Sequence, residues 1–367
     1  MRHQYIALLL VLLTPMFLAC LWDNDTIQME RRAFPDTLEL ITGKFLRHSD
    51  VYYQWRIEDR KPRLAASPTP ELFDDLAVAF EKLGDHDKAI ELMHEKQAAF
   101  PGLYETHANL GTFLIHAGRL EEGIKEIEKA IEINPDAHFG REIYQLQLVK
   151  FILENRKDGQ LKLPLDPRPL DAMLAERTGF AKFLNAASPE FHETKNVDHK
   201  AVKGVLGMMR FGNFDSPILL ESLGDLLRQS TNSNMLAARA YLKASYEVDD
   251  ITSREHYRSK ARASYAVQDD RSFAPLEKLE HDFRSEIKEA DEWFAKIVAD
   301  EKRWAEQGLN LDEEFSKVYY KEPRINQPLK HNRGNTRKML YLTATLIGVM
   351  VAIVAFACGR KLVSDRK

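Results

Sequence analysis

The sequence predicts an all-α protein: a solenoid of helical hairpins, then a long amphipathic helix, then a C-terminal transmembrane helix. Three observations predict it. A helical pattern recurs at a spacing of thirty-four residues within 70–137. Apolar residues three or four apart run through 275–307, and residues 339–358 carry no charge. The composition is that of an ordinary globular chain, with 44% hydrophobic and 29% charged residues, which excludes wholesale disorder and collagen-like repeats. Its 52 Lys+Arg against 56 Asp+Glu give a net charge of -4, unlike the strongly basic face of a nucleic-acid binder, so nucleic acid is not an expected partner. Two cysteines build neither a disulfide framework nor a four-thiolate zinc site.

Residues 1–19 read as a signal peptide. Arg2 stands before Ile6–Ala19, an uncharged stretch with Pro15 inside it, too short for a comfortable membrane span and of the right length for a secretory h-region. Phe17-Leu18-Ala19-Cys20 resembles the lipobox of bacterial lipoproteins, which makes Cys20 a candidate lipidation site. It departs from that pattern at Phe17 and at bulky Leu18, and Cys20 otherwise simply ends a hydrophobic segment. Residues 20–69 form an N-terminal helical segment: Leu38–Phe45 and Val51–Ile57 suit helices, and Phe45, Tyr52, Tyr53 and Trp55 read as packing rather than as a ligand box.

Residues 70–156 are expected to hold two repeats plus a capping helix. Leu76, Phe80, Gly84, Ala89, Ile90 and Pro101 recur thirty-four residues later as Leu110, Leu114, Gly118, Gly123, Ile124 and Pro135. Each unit has a helical stripe, a glycine turn, a second stripe and a proline that stops it. This resembles the tetratricopeptide repeat. The positions that carry the resemblance are Phe73, Leu76, Ala77, Phe80, Gly84, Ala89, Met93, Lys96 and Pro101. In the second unit they are His107, Leu110, Gly111, Leu114, Gly118, Gly123, Ile127, Ala130 and Pro135. Lys96 for a small residue, His107 for a large aromatic and Gly123 for alanine are departures. A helical stripe at Ile143, Leu146, Val149 and Leu153 would cap the pair, because a repeat buries its apolar face only against neighbours.

Pro164, Pro167 and Pro169 mark a break before a second helical block, 169–272. There Leu220, Leu223, Gly224 and Leu227, followed by Ala237, Tyr241 and Ala244, look like a degenerate third repeat, and Tyr257, Ala261 and Tyr265 suit a following helix. Residues 273–338 hold the long amphipathic helix and a basic tether. Leu276, Leu279, Phe283, Ile287, Ala290, Phe294, Ile297 and Trp304 form the apolar stripe, with Gly308 placed to stop it. About four heptads favour packing within the chain over a coiled coil. Residues 339–358 span the ~30 Å hydrocarbon core of a bilayer at ~1.5 Å per residue, bracketed by Arg337-Lys338 and Arg360-Lys361. An exported N-terminus would leave 359–367 as a cytoplasmic tail and place 20–338 on the periplasmic or extracytoplasmic side of a bacterial cell membrane.

No nucleophile elbow, HExxH, CxxC or EF-hand loop is present, and no catalytic residue, metal ligand or cofactor is assigned. His192 and His199 fall in a stretch that reads as a polar loop. What the resemblance implies is a surface: a groove lined by the first helix of each unit that holds other proteins or peptides. The positions it assigns to that groove are Glu71, Asp74, Val78, Glu81, Lys82, Glu105, Ala108, Thr112, Ile115 and His116. Fifteen acids and six bases within 70–137 favour a cationic partner. The function expected is a membrane-anchored interaction scaffold that recruits or assembles envelope proteins; the alternative is an envelope hydrolase with an unfamiliar active site in 157–272.

Overall fold

Local signals start and stop the repeat helices. In the computed structural model Thr69 accepts a hydrogen bond from Leu72 N, with Pro70 in the first helical turn where a missing N–H costs nothing. Asp85 caps the next helix by accepting from Lys88 N at 3.1 Å. Gly84 and Gly118, the turn glycines of the thirty-four-residue pattern, sit at φ 84° and 80°, a left-handed conformation that a side chain would strain.

The structure describes residues 36–135, 141–156, 159–168, 179–187, 197–229, 233–266 and 276–320. Within them lie α1 Thr37–Thr42, α2 Asp50–Ala66, α3 Pro70–Lys82, α4 His86–Ala99, α5 Tyr104–His116, α6 Leu120–Ile133 and α7 Arg141–Glu154. They are followed by α8 Gly179–Ala187, α9 Val197–Phe211, α10 Pro217–Gln229, α11 Asn234–Tyr246, α12 Ile251–Ala266, α13 Leu276–Glu306 and α14 Leu311–Tyr319. No strand occurs among the described residues, so the all-α class stands. None of the described helices is long and apolar enough to cross a membrane. The expected signal peptide, Cys20, the tether from 321 to 338 and the run 339–358 lie outside the described residues.

Consecutive helices pair as hairpins: α3 with α4, α5 with α6, and α10 with α11. A small core of Phe73, Leu76, Ala77, Ile90, Met93, Leu110 and Leu114 joins the first two hairpins. The three departures from the repeat pattern have physical reasons. A Cβ on Gly123 would lie 2.6 Å from Ile115 Cγ1 and 2.8 Å from Gly111 O, so α5 and α6 approach too closely for alanine. Lys96 is 1% exposed, and its ammonium reaches both Asp74 carboxylate oxygens at 2.6 and 2.7 Å. His107 is buried with Nδ1 2.7 Å from Glu126 Oε2.

α7 does more than cap this pair. It packs on α6, α8 and α9, and its Tyr144, Leu148, Val149 and Phe151 enter an apolar core that continues through α9, α10, α11 and α12. α9 begins inside the stretch that reads as a polar loop, so His199 lies in its first turn; His192 is outside the described residues. α1 rests on α9, α11 and α13.

The long amphipathic helix is α13, 31 residues and about 46 Å long. It packs within the chain. Leu276, Leu279 and Phe283 enter the core of the second block, whereas Ile297 and Trp304 join Tyr52 of α2 and Leu311 and Phe315 of α14. Polar contacts reinforce both ends. Glu280 accepts from Arg258 at 2.7 and 2.9 Å and from Tyr246 at 3.1 Å. Buried Glu301 accepts from Ser49 N at 2.9 Å, at the start of α2, with His48 Nδ1 2.7 Å away.

Candidate functional site: the first-helix face of the repeats

α3 and α5 are the first helices of successive hairpins, and the expected groove residues fall on them. Many of these side chains already have partners. Asp74 accepts from Lys96 and, at 3.0 Å, from Asn109 Nδ2. Burial raises its carboxyl pKa, and Lys96 only partly opposes this. Glu81 sits between two imidazoles, 2.9 Å from His86 Nδ1 and 2.6 Å from His116 Nδ1. Burial would raise Glu81, but the hydrogen bonds to His116 and His86 outweigh it and hold the carboxyl below its usual range.

The rest of that face is packed to different degrees. Lys82 donates to Gly212 O at 2.6 Å, and burial lowers its pKa. Ala108 is buried, Thr112 accepts from Gln145 Nε2 at 3.0 Å, and Ile115 packs against the large core. Glu71 is exposed, and Val78 and Glu105 are half-buried. Glu105 has no ion-pair partner among the described residues, and it lies close enough to Asp74 and Tyr104 to act on both electrostatically. Of the acids within 70–137, many belong to the second helices, α4 and α6, where Asp87, Glu91, Glu95, Glu121, Glu122 and Glu132 are exposed.

The hairpin geometry has a counterpart among known proteins. Residues 82–142 match the family model for the tetratricopeptide repeat. The match runs from α4 through α6, so this stretch is similar to tetratricopeptide repeats. Over 67 residues the chain is 30% identical to small glutamine-rich tetratricopeptide repeat-containing protein 2 of Mycosarcoma maydis, a stretch covering 18% of this chain and 19% of that relative. The chain therefore spans about a fifth of the curated relative it matches. Tetratricopeptide repeats are generally surfaces for binding other proteins, rather than catalytic centres.

Two features, one on this surface and one in the second block, escaped the sequence. The first is that the end of α9 lies over it. Lys82 holds Gly212 O, and the Arg141 guanidinium of α7 lies 5.2 Å from the Phe211 ring. Phe211 itself is 65% exposed. The second is a buried polar cluster in the second block. Glu221 accepts from Leu165 N (2.8 Å), Asp166 N (3.1 Å), Tyr257 (2.8 Å) and Lys260 (2.5 Å). Asp225 accepts from Tyr241 (2.7 Å) and Phe180 N (3.0 Å), with Lys260 at 3.5 Å. Burial opposes the Lys260 charge, but Asp225 and Glu221 outweigh it and hold the ammonium above the usual lysine range. The cluster is closed to solvent and its groups are engaged with one another, which suits a clamp on residues 163–168 and 179–180 rather than a reaction centre. No group of three or more His, Cys, Asp or Glu among the described residues is arranged to hold a metal ion.

Proposed function

We propose that this protein is a membrane-anchored scaffold whose tetratricopeptide repeats hold other proteins or peptides outside the cytoplasm of a bacterial cell, recruiting or assembling envelope components. The observation that carries the binding part is the pair of consecutive repeat hairpins, whose first helices leave Glu71, Val78 and Glu105 open to a partner. The anchoring part rests on the sequence: the uncharged run 339–358 is long enough for a bilayer and is flanked by paired cations, and Ile6–Ala19 has the make-up of a secretory h-region. Exported at one end and spanning at the other, the chain would face the repeats away from the cytoplasm.

Fractionation and protease access test this reading together. The full chain is expected to stay with carbonate-washed membranes. Protease added outside the cytoplasmic membrane should cut the region 36–320 and spare an epitope placed in 359–367. Release by carbonate, or protection of 36–320 from outside protease, would contradict it.

A further inference from the structure

We infer that the end of α9 and the turn after it, residues 211–216, form an autoinhibitory cover over one end of the first-helix groove. This deepens the scaffold reading above and rests on it. The expected groove positions divide by their place along α3 and α5. In the first turns, Glu71 is exposed and Glu105 is half-buried. In the last turns the chain itself is the occupant. Lys82, the final residue of α3, donates to Gly212 O at 2.6 Å. His116, the final residue of α5, flanks the same residue: a Cβ on Gly212 would lie 3.9 Å from His116 Cε1. One end of the groove is open to a partner, and the other is already filled.

The cover is a surface segment, not core. Phe211 is 65% exposed, Asn213 is exposed, and Gly212, Phe214, Asp215 and Ser216 are half-buried. It is gripped firmly on the side away from the groove. Phe214 meets Phe45 edge-on at 5.4 Å, with the Arg47 guanidinium 4.7 Å from its ring, and Asp215 pairs with Lys243 of α11 at 2.8 Å. Asn213 Oδ1 accepts from Asp215 N at 3.0 Å and closes the turn. On the groove side the grip is lighter: the Lys82 hydrogen bond to Gly212 O, and the Arg141 guanidinium 5.2 Å from the Phe211 ring. A segment held mainly from behind can leave the groove without unfolding the block that carries it. Lys82 is satisfied either way, by the carbonyl when covered and by water when uncovered, although burial under the cover lowers its pKa. A groove open about a tenth of the time binds about tenfold more weakly than one always open.

The test uses the full chain in detergent and three variants. Lys82→Met removes the donor, Lys82→Arg keeps a donor and the charge, and Phe211→Ala lightens the cover without changing charge. Hydrogen exchange reads the cover directly. In Lys82→Met the amides of 212–216 should exchange about tenfold faster, those of buried Val205, Leu223 and Leu226 should not change, and Lys82→Arg should restore the parent rates. Affinity capture reads the inhibition, counted only on proteins that the parent retains and a Glu71→Lys/Glu105→Lys chain loses. Their retention should rise about tenfold with Lys82→Met, rise also with Phe211→Ala, and return to the parent level with Lys82→Arg. Unchanged exchange at 212–216, or faster exchange throughout α9 and α10, would overturn the proposal. So would unchanged retention, or a rise with Lys82→Met alone, which is the mark of a charge effect. If no protein depends on Glu71 and Glu105, the scaffold reading itself falls, and the cover has nothing to inhibit.

Discussion

At the scale of single residues, buried charges are satisfied internally and make strong predictions. Lys260 stands between Glu221 and Asp225, all three nearly inaccessible to water. Replacing it by Met leaves two buried carboxylates facing each other, and is expected to cost about 3–5 kcal/mol in chemical denaturation. Lys96→Met breaks a pair whose Asp74 side is 26% exposed and can rehydrate, so its cost should be smaller. Gly123→Ala forces a methyl against Ile115 and the Gly111 carbonyl, an overpacking expected to cost about 1–3 kcal/mol. These residues also show what the sequence left unread. Lys96, His107 and Gly123 looked like departures from the repeat because its pattern gives residue types at positions along the chain, not the contacts between the two helices of a hairpin. Their reasons lie in Asp74, in Glu126 and in the closeness of α5 to α6, which depend on packing between helices. The turn glycines and stop prolines were readable, because backbone geometry acts locally.

At the scale of elements, the amphipathic stripe of α13 was legible, but not the surfaces it covers. A stripe shows that a helix has an apolar side; it does not show that one end meets the second block and the other meets α2 and α14. The α12–α13 junction gives a pH prediction. Hydrogen bonds from Arg258, against a smaller opposing effect of burial, and then from Arg284, hold Glu280 at about 2. Its folded pKa is below the ordinary 4.5, so its contribution is complete above about pH 4.5 and is lost as pH falls toward 2. A Glu280→Gln chain should therefore be less stable than the parent at neutral pH, with the gap closing across pH 4.5 to 2 in a series of denaturant melts. At the other end, Trp304→Ala empties a site shared with Tyr52 and Phe315, and should cost about 3–5 kcal/mol. Hydrogen exchange should then rise first in α14 and the start of α2. The start of α9 was misread because its short polar first turn, with Asp198 and His199, resembles a loop until Val202, Val205 and Met209 are seen buried.

At the scale of the whole molecule, the near-zero net charge conceals an uneven distribution. Residues 70–137 carry fifteen acids against six bases, and the tether 321–338 is basic. The sequence placed this acidity in the groove. In the structure Asp74 is paired with buried Lys96 and Glu81 is held by His86 and His116, and the second helices of the repeats hold many exposed acids. Composition cannot make that distinction, because the same residue count serves either face of a helix. The account therefore stands on which face a partner touches. Affinity capture from detergent-solubilised membranes decides it, comparing the parent chain with a Glu71→Lys/Glu105→Lys chain and a Glu91→Lys/Glu122→Lys chain, each shown to melt normally. The account predicts partners retained by the parent and the second-helix variant and lost from the Glu71→Lys/Glu105→Lys chain. Loss confined to the Glu91→Lys/Glu122→Lys chain, or the same partners on all three, would contradict it.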